Sequence, residues 1–85
     1  VIGLHGQTVF HQAPLATLQI GEASYLSVGF GVPVVHDFRP ADIAAGGQGA
    51  PIASLFHQQI FHSLFKKKNI ALHNLGGISN LTYIH

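Results

Sequence analysis

The feature that most constrains the fold is the branched apolar run Val32–Val35, which follows a segment with helical character. β-Branched residues favour strands, and an unbroken apolar run is typical of a strand buried in a parallel sheet. The preceding segment, Glu22–Val28, permits a helix with an acidic residue at its positive end, and Gly29 and Gly31 are natural terminators. A helix followed by such a strand predicts α/β layering, with the apolar run Val1–Leu4 as a second buried strand.

Further elements are expected on both sides of this strand. Thr17–Ile20 alternates between polar and apolar residues like an edge strand. Arg39–Ala50 contains Pro40 and several glycines, which predict a loop. Pro51–Phe65 predicts a helix with proline in its first turn and one broad apolar face, and the cations Lys66–Lys68 are expected to form its solvated end.

The end of the chain predicts a hairpin. Ile70–Asn74 and Ile78–Ile84 have the character of strands, and Gly76 and Gly77 predict a two-residue turn that tolerates positive φ. A glycine turn without side chains also lets a polyanion approach the main-chain amides. The polar residues beside the turn would add donors to such a site: Asn74, Ser79 and Asn80. A turn with no ligand remains the alternative.

Composition narrows the classes of function. With 47% apolar and only 8% charged residues, the chain does not have the composition of a disordered tail. A formal net charge of +1 argues against nucleic acid as a partner, and the absence of Cys excludes disulfides and thiolate sites. No apolar stretch reaches membrane-spanning length and no signal sequence opens the chain, so no membrane partner is expected and the expected location is cytoplasmic.

The chain carries more apolar surface than its size can bury. A domain of about this length buries only about 60% of the surface that its unfolded chain exposes. With so few charges, the remaining surface would contain large apolar patches. We therefore expect that the surface is covered either by more of a longer polypeptide or by further copies in a homo-oligomer. The sequence also contains no Met, even at position 1, which suggests either processing or an internal fragment.

Two catalytic classes find no support in the residue pattern. The chain has seven histidines, but no pair has the four-residue spacing that places two imidazoles on one helical face. Carboxylates are limited to Glu22, Asp37 and Asp42. No metal ligand is therefore assigned. No Gly-x-Ser-x-Gly elbow is present, so no hydrolase nucleophile is assigned either.

Polar segments at the expected strand ends are the better candidates, because open α/β sheets bind ligands there. His5-Gly6-Gln7-Thr8 follows the first strand, and Asp37–Asp42 follows the second. Arg39 has the geometry to hold a carboxylate, and the aspartates can accept hydroxyl hydrogens from a polyol. A purely structural Arg–Asp pair is the alternative. The glycine-rich segment Gly46–Pro51 leads into the expected helix, so its amides suit an anion, or else it is only a turn.

Five motifs, in order, resemble the anhydro-N-acetylmuramic acid kinases of bacterial peptidoglycan recycling. They are Gly3-Leu4-His5-Gly6-Gln7-Thr8-Val9, Thr17-Leu18-Gln19-Ile20-Gly21, Val34-Val35-His36-Asp37-Phe38-Arg39, Asp42-Ile43-Ala44-Ala45-Gly46-Gly47-Gln48-Gly49-Ala50-Pro51 and Asn74-Leu75-Gly76-Gly77-Ile78-Ser79-Asn80-Leu81-Thr82. Each is short, but together they span nearly the whole chain.

The resemblance implies a fold and a reaction. It implies a fragment of the actin/hexokinase-like (ribonuclease H-like) two-domain sugar-kinase fold, with residues 1–66 ending the first α/β domain and residues 67–85 forming a linker and the opening hairpin of the second. Such kinases add water across the 1,6-anhydro ring and transfer the γ-phosphoryl group of ATP to O6, with Mg²⁺. The product is N-acetylmuramate 6-phosphate.

The resemblance also implies roles for individual residues. The sugar side would comprise His5, Gln7, Thr8, Arg39, Asp42 and Gln48. The phosphates of the nucleotide would face Asn74, Gly76, Gly77 and Asn80. The family's Asp-x-Gly-Pro-Gly-Asn segment, which carries the catalytic aspartate, is absent here, and Pro40 and Ala41 stand where relatives commonly carry basic residues. The chain alone is therefore expected to be inactive, and a non-catalytic binding or self-associating fragment is the alternative.

Overall fold

The computed structural model describes residues 1–65 and 69–85. The chain forms two compact units, Val1–Pro51 and Ile52–His85, and each is described by itself. The expected lysine-bearing helix end, Lys66–Lys68, and the expected domain boundary between residues 66 and 67 lie outside the described residues. Within the described ranges, no helix has the length and apolar character needed to cross a membrane.

The first unit contains the expected parallel strand pair. Strand β1 (Ile2–Gly3) lies beside a second short strand, Val34–Val35, with Ile2 opposite Val34. Both strands are shorter than expected, although backbone hydrogen bonds flank them on either side: Ile2 N donates to the Pro33 carbonyl at 3.0 Å and Leu4 N donates to the Val35 carbonyl at 2.8 Å. The expectation of buried strands was wrong, since Val35 is 50% exposed.

An antiparallel hairpin lies between these two strands in sequence. It consists of β2 (Gln7–Gln12) and β3 (Ala16–Ile20), with an irregularity in register between Thr8 and Phe10. The expectation of a strand over Thr17–Ile20 is confirmed. Strand β2 was not predicted, because its polar residues show little apolar alternation.

Helix α1 (Ala23–Phe30) is capped at both ends by its own sequence. The Glu22 carboxylate accepts from the Ser24 amide at 3.0 Å and from the Ser24 hydroxyl at 2.7 Å. These hydrogen bonds, the amide first, lower the pKa of Glu22. At the other end Gly31 adopts φ 64° and donates to the Ser27 carbonyl, so Gly31 is the terminator and Gly29 lies inside the helix.

The expected loop over Arg39–Ala50 was wrong in its first half. Following strand β4 (Val34–Val35), helix α2 occupies Phe38–Ala44. Pro40 is tolerated because it lies in the first turn, where the N–H groups have no partner within the helix. Proline therefore marks the beginning of a helix here, and only the following glycine-rich segment is irregular.

The second unit consists of one helix and the expected hairpin. Helix α3 spans Ala53–Leu64, so Pro51 precedes the helix rather than lying in its first turn as expected. Strands β5 (Ile70–Leu75) and β6 (Ser79–Ile84) pair antiparallel with Leu75 opposite Ser79. The turn therefore has three residues instead of the expected two.

The broad apolar face expected on α3 is largely uncovered. Leu55, Phe56 and Leu64 are 72%, 63% and 67% exposed, whereas His57 and Phe61 are half-buried. Among the described residues of the whole chain, only Ala23 and Ile84 are buried hydrophobic residues. The chain therefore combines helices and strands as expected of an α/β protein, but most of its apolar surface is left without cover.

Candidate functional site

The centre of the first unit's polar cluster is Arg39, in the first turn of α2. Its Nε donates to His5 Nε2 at 2.8 Å, and its Nη1 donates to the Gly49 carbonyl oxygen at 2.7 Å. His5 Nδ1 lies 2.7 Å from the Gly6 carbonyl oxygen, to which only a protonated Nδ1 can donate. This pairing selects the neutral imidazole with its proton on Nδ1, so the charge at the contact belongs to Arg39.

Asp42 holds the same loop from the other side of Gly49. Its Oδ2 accepts the Gly49 N–H at 2.7 Å, and its main-chain carbonyl accepts the Gly47 N–H at 2.8 Å. Gly47 lies so close that a Cβ there would overlap the carboxylate. Arg39 and Asp42 are therefore connected through the two polar groups of one residue, Gly49, rather than by the direct structural pair considered from the sequence.

These contacts change the interpretation of the glycine-rich loop. The Gly46 amide donates to the Ile43 carbonyl, and the Gly47 and Gly49 amides donate to Asp42. These three amides are consequently engaged by α2 and do not form the anion site that the sequence suggested. What the loop presents instead is the exposed side chain of Gln48, next to a buried and doubly fixed Gly49.

The first hairpin adds residues that were not assigned to the site from the sequence. Gln19 donates from Nε2 to Thr8 Oγ1 at 3.1 Å and to Thr17 Oγ1 at 2.7 Å. His11 Nδ1 lies 3.1 Å from Thr17 Oγ1. The alternation of Thr17-Leu18-Gln19-Ile20 already places two polar residues on one strand face. The pairing of Gln19 with Thr8 could not be known without the register.

The sugar-side residues expected from the sequence are thus only partly brought together. Arg39 contacts His5 directly and is connected to Asp42 through Gly49, whereas Thr8 joins a polar network on the hairpin. The His11 imidazole lies near both groups of residues. Its Nδ1 is 3.1 Å from Thr17 Oγ1 on the hairpin, and its Cε1 would lie 3.2 Å from a Cβ placed on Gly49. Gln7 is exposed, and its amide points to the neighbouring Thr8 carbonyl at 3.4 Å.

The second unit places its candidate residues at the turn of its hairpin. Asn74 and Asn80 are direct partners across the strands, so they share one face at the turn end. Gly76 donates its N–H to the Ile78 carbonyl at 3.1 Å, and neither Gly76 nor Gly77 has the positive φ expected from the sequence. A Cβ on Gly77 would meet nothing within 4 Å. The fold of this unit therefore does not itself require glycine at Gly77, and the turn stays open to a close approach.

The side chains that could bind a metal ion are spread over the described residues. Within the described parts of the chain, no group of three His, Cys, Asp or Glu side chains has the arrangement of a metal site. His36 Nδ1 lies 2.9 Å from Asp37 Oδ2, and the two side chains are 48% and 65% exposed. Both residues are therefore placed at the surface, ahead of α2.

Polar side chains thus gather after β1 and around α2, near the ends of the parallel strand pair, and open α/β sheets bind ligands at such strand ends. Comparison with known proteins gives the family. The model of the anhydro-N-acetylmuramic acid kinase family matches residues 1–85. The chain therefore belongs to the anhydro-N-acetylmuramic acid kinase family.

Individual relatives agree with this membership. The chain is 49% identical over 85 residues to an anhydro-N-acetylmuramic acid kinase of Rhodopseudomonas palustris strain BisB18, a match that covers 99% of this chain. It is 50% identical over 86 residues to a protein of the same name from Idiomarina loihiensis, and 48% identical over 85 residues to one from Acidiphilium cryptum. The chain spans 23% of the length of these curated relatives.

Proposed function

We propose that this chain contributes to an ATP-dependent kinase that opens the 1,6-anhydro ring of anhydro-N-acetylmuramic acid and phosphorylates O6. The product is N-acetylmuramate 6-phosphate, and the process is peptidoglycan recycling in the cytoplasm. The observation that carries the proposal is the family match along the whole chain, together with the His5–Arg39–Gly49–Asp42 cluster, which is built from three of the matching motifs.

The sugar side of the proposed site is the cluster of the first unit. Arg39 is fixed through Nε and Nη1, which orients its remaining N–H groups for an anionic or carbonyl oxygen of the sugar. Asp42 and Gly49 hold the loop that carries Gln48. Fixed donors at known positions suit sugar recognition, because positioning supplies much of the rate enhancement in phosphoryl transfer. The proposed sugar contacts are His5, Gln7, Thr8, Arg39, Asp42 and Gln48.

The nucleotide side of the proposed site is the turn of the second unit. An open Gly77 fits a phosphate group, since no side chain or main-chain atom occupies the space where a Cβ would stand. Asn74 and Asn80 lie opposite each other beside the turn and can donate amide hydrogens. Asn74, Gly76, Gly77 and Asn80 are therefore the proposed phosphate contacts. Mg²⁺ would accompany ATP and neutralise charge on its phosphates, and no ligand from this chain is assigned to it.

The larger architecture follows the same proposal. The α/β units would form part of the actin/hexokinase-like fold, with residues 1–66 in the first domain and residues 67–85 opening the second. The sequence contains no Asp-x-Gly-Pro-Gly-Asn segment. We therefore expect no turnover from the isolated chain, since the resemblance places the general base of the proposed reaction on that segment.

The test uses the product of the full reading frame in which these residues occur, here called the complete protein. With ATP, Mg²⁺ and anhydro-N-acetylmuramic acid, the complete protein should release ADP in proportion to the sugar supplied. The isolated chain, assayed in parallel, should release none above background. A complete protein that is folded and releases no sugar-dependent ADP would refute the proposal.

A self-associating, non-catalytic chain is the second candidate, and the exposed apolar side chains favour it. Tyr25, Val28 and Phe30 on α1 are 81%, 84% and 69% exposed, and α3 has its own uncovered apolar face. Such contiguous patches are uncommon on a soluble monomer. We expect the isolated chain to form a homo-oligomer or larger aggregates at micromolar concentration. Sedimentation velocity should show species heavier than one chain, and a folded monomer that persists on concentration would contradict this.

A further inference from the structure

The hydrogen bonds on the polar face of the first hairpin determine which groups donate and which accept. Thr17 Oγ1 donates its only hydrogen to the Phe10 carbonyl oxygen, at 3.3 Å. Gln19 Nε2, 2.7 Å away, therefore donates to this oxygen, and His11 Nδ1 lies 3.1 Å from it. Thr17 Oγ1 is thus an acceptor toward Gln19, which orients the Gln19 amide with its nitrogen toward the hydroxyls.

This orientation also determines the role of Thr8. The Gln19 amide has two hydrogens, and its nitrogen lies 2.7 Å from Thr17 Oγ1 and 3.1 Å from Thr8 Oγ1. One hydrogen therefore goes to each hydroxyl oxygen. Because Thr8 Oγ1 accepts from Gln19, its own hydrogen is left to be donated elsewhere.

The carbonyl end of the Gln19 side chain does not share in these hydrogen bonds. Gln19 Oε1 is buried and has no hydrogen-bond partner among the described residues. Leaving a buried acceptor unpaired costs free energy of folding, so such a group calls for an explanation in function, in strain or in a bound water or ion. An amide that only stabilised the hairpin would be expected to have both ends satisfied.

We infer that Gln19 is a positioning residue that fixes the Thr8 hydroxyl as a hydrogen-bond donor toward an oxygen of the anhydro-sugar. This rests on the proposed function, in which Thr8 faces the sugar. The oxygens of the pyranose ring and of the 1,6-anhydro bridge are ethers, which accept hydrogen bonds and donate none. A hydroxyl whose own oxygen is already occupied by Gln19 suits such an acceptor better than a freely rotating one.

The test replaces Gln19 by Glu in the complete protein and compares sugar and nucleotide kinetics. A carboxylate accepts where the amide donated, so the Thr8 hydroxyl would turn toward Glu and away from the sugar. We expect Gln19→Glu to raise the KM for the sugar about 10-fold and to leave the KM for ATP unchanged. Gln12→Glu makes the same chemical change at an exposed position of the same hairpin and should leave both constants unchanged.

Two further variants tie the effect to Thr8 and guard against misfolding. Gln19→Met keeps the side-chain length but has no N–H, so it should raise the sugar KM by a smaller factor. Thr8→Val should match Gln19→Glu, and the double variant should be no worse than either single variant, since both remove one interaction. If Gln19→Glu fails to fold, as judged by circular dichroism, Gln19→Met and Thr8→Val decide the question.

The outcomes separate this inference from the proposed function. A complete protein without sugar-dependent turnover refutes the proposed function, and the same variants are then compared by calorimetric binding of the anhydro-sugar. Absence of sugar binding overturns the inference as well. The inference is overturned if Gln19→Glu and Gln12→Glu have equal KM values for the sugar. It is also overturned if the increases in sugar KM caused by the Thr8 and Gln19 substitutions are fully additive in the double variant.

Discussion

Replacement of Arg39 by Lys in the complete protein is expected to lower kcat/KM for the anhydro-sugar by about 100-fold. Arg39 makes two hydrogen bonds at once, to His5 Nε2 and to the Gly49 carbonyl oxygen, from nitrogens held in one plane. An ammonium group cannot reproduce this planar arrangement. Without these two bonds the donors proposed for the sugar are no longer held in place, and a misplacement of about 1 Å can cost about two powers of ten in rate, or about 3 kcal/mol.

The measurement is steady-state kinetics with the sugar and with ATP varied separately. The value of kcat/KM should fall for the sugar, and the KM for ATP should be unchanged, because Arg39 belongs to the sugar side of the proposed site. His36→Gln is the matched control, since His36 is exposed and lies three residues earlier in the same segment. An Arg39→Lys protein within about threefold of wild type would contradict the account of this cluster.

Replacement of Gly6 by Ala in the complete protein should lower the free energy of unfolding, whereas the same replacement at Gly29 should not. Gly6 adopts φ 71°, and a Cβ there would lie 2.5 Å from the carbonyl oxygen of Ile20. That oxygen belongs to the main chain of β3 and cannot move away without disturbing the hairpin. The left-handed conformation and the overlap together should lower the free energy of unfolding by about 3 kcal/mol.

Gly29→Ala is the matched control, with the opposite sign. Gly29 lies inside α1, and a Cβ there would meet nothing within 4 Å. Alanine should therefore raise the free energy of unfolding by about 0.5–1 kcal/mol through its higher helix propensity. Urea unfolding followed by circular dichroism measures both variants. Equal effects of the two substitutions would show that the backbone at Gly6 is not constrained as described.

Helices and strands could be predicted where the order of apolar and polar residues in the sequence matched the position of the element in the fold. The parallel pairing of Ile2–Gly3 with Val34–Val35 follows from two apolar runs separated by a helix. Helix α2 was missed because Pro40 and the later glycines obscured a short helix whose first turn tolerates proline. Strand β2 was missed because its polar residues pack against other polar side chains, so it lacks the apolar alternation on which strand prediction depends.

The candidate site was predictable in its residue types but not in its contacts. His5 and Arg39 are 34 positions apart, and only the pairing of β1 with β4 brings their segments together. Gln19 lies within a matching motif, but no role for it could be predicted from the sequence, because its contacts depend on the register that places it opposite Thr8. For the glycine-rich loop the sequence left open an anion site or a simple turn, because nothing in the sequence shows that α2 already engages its amides.

The central claim is that these residues belong to a kinase that both opens the anhydro ring and phosphorylates the sugar. Mass spectrometry of the sugar product of the complete protein tests it most directly. With ATP and Mg²⁺, the account predicts a product heavier than anhydro-N-acetylmuramic acid by one phosphoryl group and one water, with the phosphate on O6. Unchanged sugar, or a phosphorylated product that retains the anhydro ring, would contradict the account.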